Sequence, residues 1–308
     1  MKIATSTMDF GIYVEKRTEV PKLLSLLNSS GFKHIDLDLS QAVYPGSPMC
    51  GDDWEAWAEE CLNAAAVFGQ DFVQAHSSDT DYEEGPNKDY QTAMIKREME
   101  VCQKLGIPGI VVHAVCTKGG SREEFMAKNT ELYLDLLKTA EQTGVTVYTE
   151  NTTHKNSNFY YLYTGEDMNE MCGRVGNHPL FGVCWDVGHA HADNLNQYDE
   201  IVTMGANLKA VHVHDNLGKD KHMQPYSANC AYDPIIKGLL DADYKGYFTL
   251  EALSIPGSHG FVGRKALEKD GTVYDKLVSL PLSIKLRSER LMYDITRYML
   301  EAYGCYED

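Results

Sequence analysis

Two rhythms of hydrophobic and polar positions alternate along this chain. Short apolar and β-branched runs read as strands: KIATST (2–7), HIDLDLS (34–40), DFVQAH (71–76), GIVVHA (109–114), VTVYTEN (145–151), FGVCWD (181–186), LKAVHVH (208–214) and YFTLEA (247–252). They recur at roughly 37-residue spacing, with apolar residues at helical spacing between them. NKDYQTAMIKREMEVCQKLG predicts a helix closed by Gly106, and SREEFMAKNTELYLDLLKTAEQTG predicts one capped by Ser121 and stopped at Gly144. Strand–helix alternation predicts parallel strands, and eight such units are the number a closed barrel needs. The expected fold is α/β: a (β/α)8 TIM barrel, one domain over residues 1–308. The stretch 255–276 (IPGSHGFVGRKALEKDGTVYDK) predicts an insertion after the eighth strand, a lid over the barrel mouth or a plain surface loop, with a C-terminal helix after it.

Several predicted strands end on metal-ligand residue types: Glu150, Asp186 followed by His189, His212 with His214, and Glu251. These positions meet in space only if strand ends converge, as they do at the carboxyl face of a parallel barrel. Strand alternation puts Glu150 in register with Tyr148, His212 with Ala210 and His214, and Glu251 with Thr249. Each alone is a polar residue closing a strand; together they make a divalent-cation set of three carboxylates and one imidazole. Histidines also crowd the predicted strand ends, at 76, 113, 189, 191, 212, 214 and 222. Trp185 points to the opposite side of its strand from Asp186 and is expected to pack against helices.

The net charge of −17 runs against a polyphosphate partner, because nucleic-acid binding calls for a basic stripe. Eight scattered cysteines, with no CxxC pair, argue against a cysteine zinc site and a disulfide scaffold. No apolar run approaches a membrane span, and the first residues are too polar for a secretory signal, so the expected setting is a reducing cytoplasm.

These residues resemble the xylose isomerase-like TIM barrels, a superfamily that includes sugar epimerases such as D-tagatose 3-epimerase and the endonuclease IV-type enzymes. The epimerase branch implies that Glu150, Asp186, His212 and Glu251 hold one metal and that His189, in DVGH, contacts substrate or metal. The endonuclease branch implies further ligands: His76 in QAHSS, His113 in VVHA, and Asp220 with His222 in DKH. One departure from the epimerases leaves a related lyase, dehydratase or C-glycoside-cleaving activity open. They commonly carry Arg a few residues beyond the strand-seven His, where this chain reads DNLGKDKH. The resemblance also implies a homo-oligomer.

Two chemistries follow. The first is isomerisation or epimerisation of a small sugar or polyol, with Glu150 and Glu251 moving the proton beside a metal-polarised carbonyl through an enediolate. Its expected cofactor is a divalent ion, manganese, magnesium or cobalt, while the additional histidines suit zinc. The second is a multinuclear zinc phosphoester hydrolase of the endonuclease IV type, with His76, His113, Asp220 and His222 as ligands. The expected partner is a small carbohydrate, with no nucleic acid and no membrane.

Overall fold

A computed structural model describes the chain except residues 17, 41, 79–86, 118, 155–159, 256–266, 271 and 275–279. Eight parallel strands close into a barrel in sequence order: β1 (Ile3–Ser6), β2 (His34–Asp38), β3 (Asp71–His76), β4 (Gly109–Val112), β5 (Thr146–Glu150), β6 (Phe181–Asp186), β7 (Leu208–Val213) and β8 (Phe248–Leu250). Pairing of β1 with β8 completes the ring. All eight lie inside the segments expected to be strands.

The described helices are α1 (Val20–Ser29), α2 (Trp54–Phe68), α3 (Asn87–Leu105), α4 (Arg122–Thr143), α5 (Gly165–Arg174), α6 (Val187–Ala192), α7 (Gln197–Met204), α8 (Tyr232–Asp241) and α9 (Leu282–Ala302). Their ends follow from local chemistry. Ser121 and Glu124 form a reciprocal capping box at the start of α4, and Gly144 ends it in the left-handed conformation. The main core lies between the strands and these helices. Trp185 belongs to it, with its indole N–H donating to Gln197 of α7 at 3.0 Å.

Inside the barrel, Val111, Cys184 and Ala210 pack with Tyr148 as a small separate cluster. Gly109 makes room for the Tyr148 ring, since a Cβ there would lie 2.2 Å from it. This plug fills the barrel below the mouth, so the polar side chains one step further along β5 and β7 rest on an apolar floor.

The lid expected over 255–276 falls largely outside the described residues. Within it, Leu267–Lys269 (β9) and Thr272–Tyr274 (β10) form an antiparallel pair. No described helix is long and apolar enough to cross a membrane, and all eight cysteines are free thiols.

Candidate metal centre

The carboxyl ends of the strands bring all nine candidate ligands into one polar cluster. Asp186, Glu150 and His76 are the last residues of β6, β5 and β3, and His212 is the penultimate residue of β7. His113 and Glu251 follow β4 and β8 by one residue, whereas Asp220 and His222 arrive on the β7–α8 loop. His212 Nδ1 stands 2.9 Å from Glu150 Oε1 and 3.4 Å from Glu251 Oε2. One ligand atom from each of Glu150, Asp186, His212 and Glu251 lies within 4.8 Å of the others. That is the four-residue set expected to hold a single ion.

Glu150 also faces the other way. Its Oε2 is 2.7 Å from His113 Nε2 and 3.6 Å from His76 Nε2, while the two imidazole nitrogens are 3.1 Å apart. The two oxygens of one carboxylate thus address two ligand groups. On the opposite side, Asp220 approaches His222 Nε2 at 3.1 Å and His189 Nε2 at 3.5 Å.

Hydrogen bonds behind these residues orient them. His76, His189 and His222 turn Nδ1 to backbone carbonyls of Ser77, Asn151 and Glu251, at 2.9, 2.8 and 2.9 Å, leaving Nε2 toward the site. A carbonyl behind an imidazole is the usual support of a metal-ligating histidine. His212 is reversed: Nδ1 faces the ligand set, and Nε2 meets the Gln74 amide at 2.7 Å and Asp36 Oδ2 at 3.5 Å. Both Asp36 oxygens are buried without a hydrogen-bond partner, so this carboxylate's nearest complement is His212. Asp186 caps α6 by accepting the His189 N–H at 2.6 Å, and Asn151 bonds the Asp186 backbone on both sides. The β5 exit (ENT, 150–152) and the DVGH turn (186–189) are therefore one hydrogen-bonded unit.

The electrostatics call for a cation. Burial opposes ionisation of Glu150, but the imidazoles of His212 and His113 overcome it and hold the carboxyl well below its usual range. Burial likewise opposes Asp186, and His189 and His214 outweigh it. Burial also works against charging His76 and His222, yet neighbouring carboxylates, Glu150 for His76 and Asp220 for His222, push both up to about 10. Buried carboxylates kept ionised need protons on the imidazoles or metal ions in their place. The donor types and their supports fit divalent ions, and nine donors exceed the requirement of one.

Two residues stand outside the set expected from sequence. Asp36, the middle residue of β2, was signalled only by an acidic position within an apolar strand. His214 was placed in register with His212 but in no ligand set; its Nε2 reaches to 3.2 Å from Asp186 Oδ1.

A closed eight-stranded parallel barrel of this topology is a (β/α)8 barrel, and the sequence comparison agrees with it. The family model described as xylose isomerase-like TIM barrel matches residues 24–268, and the chain belongs to that family. Curated relatives include an uncharacterized protein y4fM of Sinorhizobium fredii, 24% identical over 161 residues covering 49% of each chain. A probable AP endonuclease of African swine fever virus is 27% identical over 145 residues, covering 46% of this chain and 45% of its own. The chain thus spans about half the length of the curated relatives it matches. Among solved structures, the E. coli 3-keto-D-glucoside 4-epimerase YcjR aligns with TM-score 0.69 at 17% identity, covering 96% of this chain and 99% of its own. D-psicose 3-epimerase with D-tagatose from Clostridium cellulolyticum H10 gives 0.72 at 15%, covering 97% and 99%. The IOLI protein with a bound zinc atom gives 0.70 at 14%, covering 95% and 96%. At these identities the structural likeness shows the shared fold.

Proposed function

We propose that this chain is a divalent-metal-dependent isomerase or epimerase of a small polyhydroxylated carbonyl compound. The observation that carries the reading is the approach of Glu150 and Glu251, from β5 and β8, to the same edge of His212. Two carboxylates converging from different strands are suited to remove a proton from one face of a carbon and return it on the other, or on its neighbour. An ion held by Glu150, Asp186, His212 and Glu251 supplies Lewis acidity toward a carbonyl and its adjacent hydroxyl. The apolar floor of Tyr148, Val111, Cys184 and Ala210 limits how deeply substrate enters. The fold shared with sugar epimerases supports the reading.

A second reading, a multinuclear phosphoester hydrolase, is favoured by the orientation of Glu150, whose oxygens face separate ligand groups. The likeness to a probable AP endonuclease supports it as well. Solvent exchange separates the two. Incubating ketoses and cyclic polyol ketones in deuterium oxide with metal-loaded protein should place deuterium beside the carbonyl. Glu150→Gln and Glu251→Gln should each slow exchange by about 10²–10⁴-fold, the usual contribution of a general base. Hydrolysis of bis-p-nitrophenyl phosphate with no exchange on any substrate would move the assignment to the hydrolase.

A further inference from the structure

We propose that His214 is itself a metal ligand, holding a divalent ion of zinc type together with Asp220 and His222. This ion would sit apart from the Glu150–Asp186–His212–Glu251 set. The four-ligand reading does not require His214, and the residues that the resemblance implies as ligands do not include it.

The geometry makes the case. His214 follows β7 by one residue and is fully buried, yet its Nε2 has no hydrogen-bond partner. Asp186 Oδ1 is 3.2 Å away but out of line for the ring N–H. Nδ1 turns to the Asp215 carbonyl at 3.4 Å, which leaves the Nε2 lone pair toward the cluster. Asp220 Oδ1 is also buried without an aligned hydrogen bond, 3.7 Å from His214 Nε2 and 3.1 Å from His222 Nε2. The two rings stack with centroids 4.3 Å apart and planes at 22°, so both nitrogens address the same carboxylate edge. One ligand atom from each of the three residues lies within 4.8 Å of the others. His189 Nε2 approaches the other Asp220 oxygen at 3.5 Å, a neighbour able to complete the shell.

The surrounding sequence is shaped to place this ring. Gly188 of DVGH lies against His214, and a Cβ there would come 1.9 Å from it. Asn216 donates to the Gly188 carbonyl at 2.8 Å, locking the β7 exit to that turn. An imidazole-rich set with one carboxylate suits zinc or cobalt, whereas the carboxylate-rich set suits harder ions. The chain is thus built to hold two unlike ions side by side.

The test strips the protein with chelator, reloads it with Zn²⁺ or Co²⁺, removes free ion and counts bound metal by elemental mass spectrometry. The visible cobalt spectrum is recorded in parallel. His214→Ala and His222→Ala should each retain one ion fewer per chain than the unaltered protein and lose the same cobalt band. Glu251→Ala should lose a different ion and keep that band. His214→Asn, which keeps a polar side chain, serves where the alanine variant melts early. Unchanged stoichiometry and spectrum in either folded His214 variant overturns the proposal, as does loss of every ion in Glu251→Ala. Metal counts do not depend on turnover, so absence of proton exchange would defeat the isomerase reading and leave this result standing.

Discussion

At the scale of single residues, the carboxylate behind His212 is the sharpest test of the centre. Asp36 is fully buried, and its nearest complement is the outer nitrogen of an imidazole whose inner nitrogen faces Glu150 and Glu251. Losing such a support typically lowers metal affinity by about 10–100-fold. Asp36→Asn should do so in a chelator competition with little change in melting temperature of the stripped protein. Equal affinity would make Asp36 only a buried polar group. A second expectation concerns protons. His76 and His222, raised to about 10 by their carboxylate neighbours, carry protons at neutral pH when no ion is present. A metal must displace them, so affinity should rise with pH and level off near that value. Calorimetry in buffers of different ionisation enthalpy should show net proton release on binding at pH 7. Release of none would mean that neither imidazole becomes a ligand.

At the scale of elements, the barrel was legible because each strand is a short apolar run and each helix has a readable start or stop. The convergence of the four strand-end candidates was legible for the same reason: period-two alternation fixes the face, and parallel topology fixes the end. Asp36 was not, because an acid inside a strand has no meaning until β7 places His212 beside it. The clamp on α9 was equally hidden. Lys285 is buried among Asp9, Ser254 and Glu289, which belong to the turn after β1, the β8 exit and α9. The Ser254 N–H also donates to Asp9 at 2.9 Å. Three sequence-distant segments therefore share one ion cluster, three residues from Glu251. Burial opposes ionisation of Asp9, and Lys285 overcomes it; burial and then Asp9 push Glu289 well above its ordinary value. The native state so keeps a proton on Glu289 that the unfolded chain loses above the ordinary glutamate range. Native protons exceed unfolded protons there, and stability must fall as pH rises. Glu289→Gln should melt higher than the unaltered protein at pH 8, with the difference shrinking toward pH 5. A constant difference would refute the retained proton. Lys285→Met strands the buried Asp9 and should cost about 3–5 kcal/mol in denaturant titration.

At the scale of the whole molecule, net charge bears on which substrates the mouth would favour. The family match ends at residue 268, yet α9 beyond it anchors the β8 exit through Lys285, so the C-terminal helix is part of the frame around the site. The chain carries 45 acidic against 28 basic residues, and a net charge of −17 repels a polyanion at long range. Lys219 and Lys221 flank Asp220 on the β7–α8 loop, two positive charges beside a site rich in carboxylates. Duplex DNA recognition rests on many phosphate contacts whose strength falls steeply with salt. An abasic-site duplex should therefore show no measurable binding to the metal-loaded protein at physiological salt, and no strand cleavage, under conditions where polyol exchange proceeds. Binding with a steep negative salt slope would mean that a cationic track, formed by bound ions and loop lysines, outweighs the overall charge. The same ligand cluster would then be working on a phosphodiester, and the nine converging side chains would be explained by the number of ions that chemistry uses.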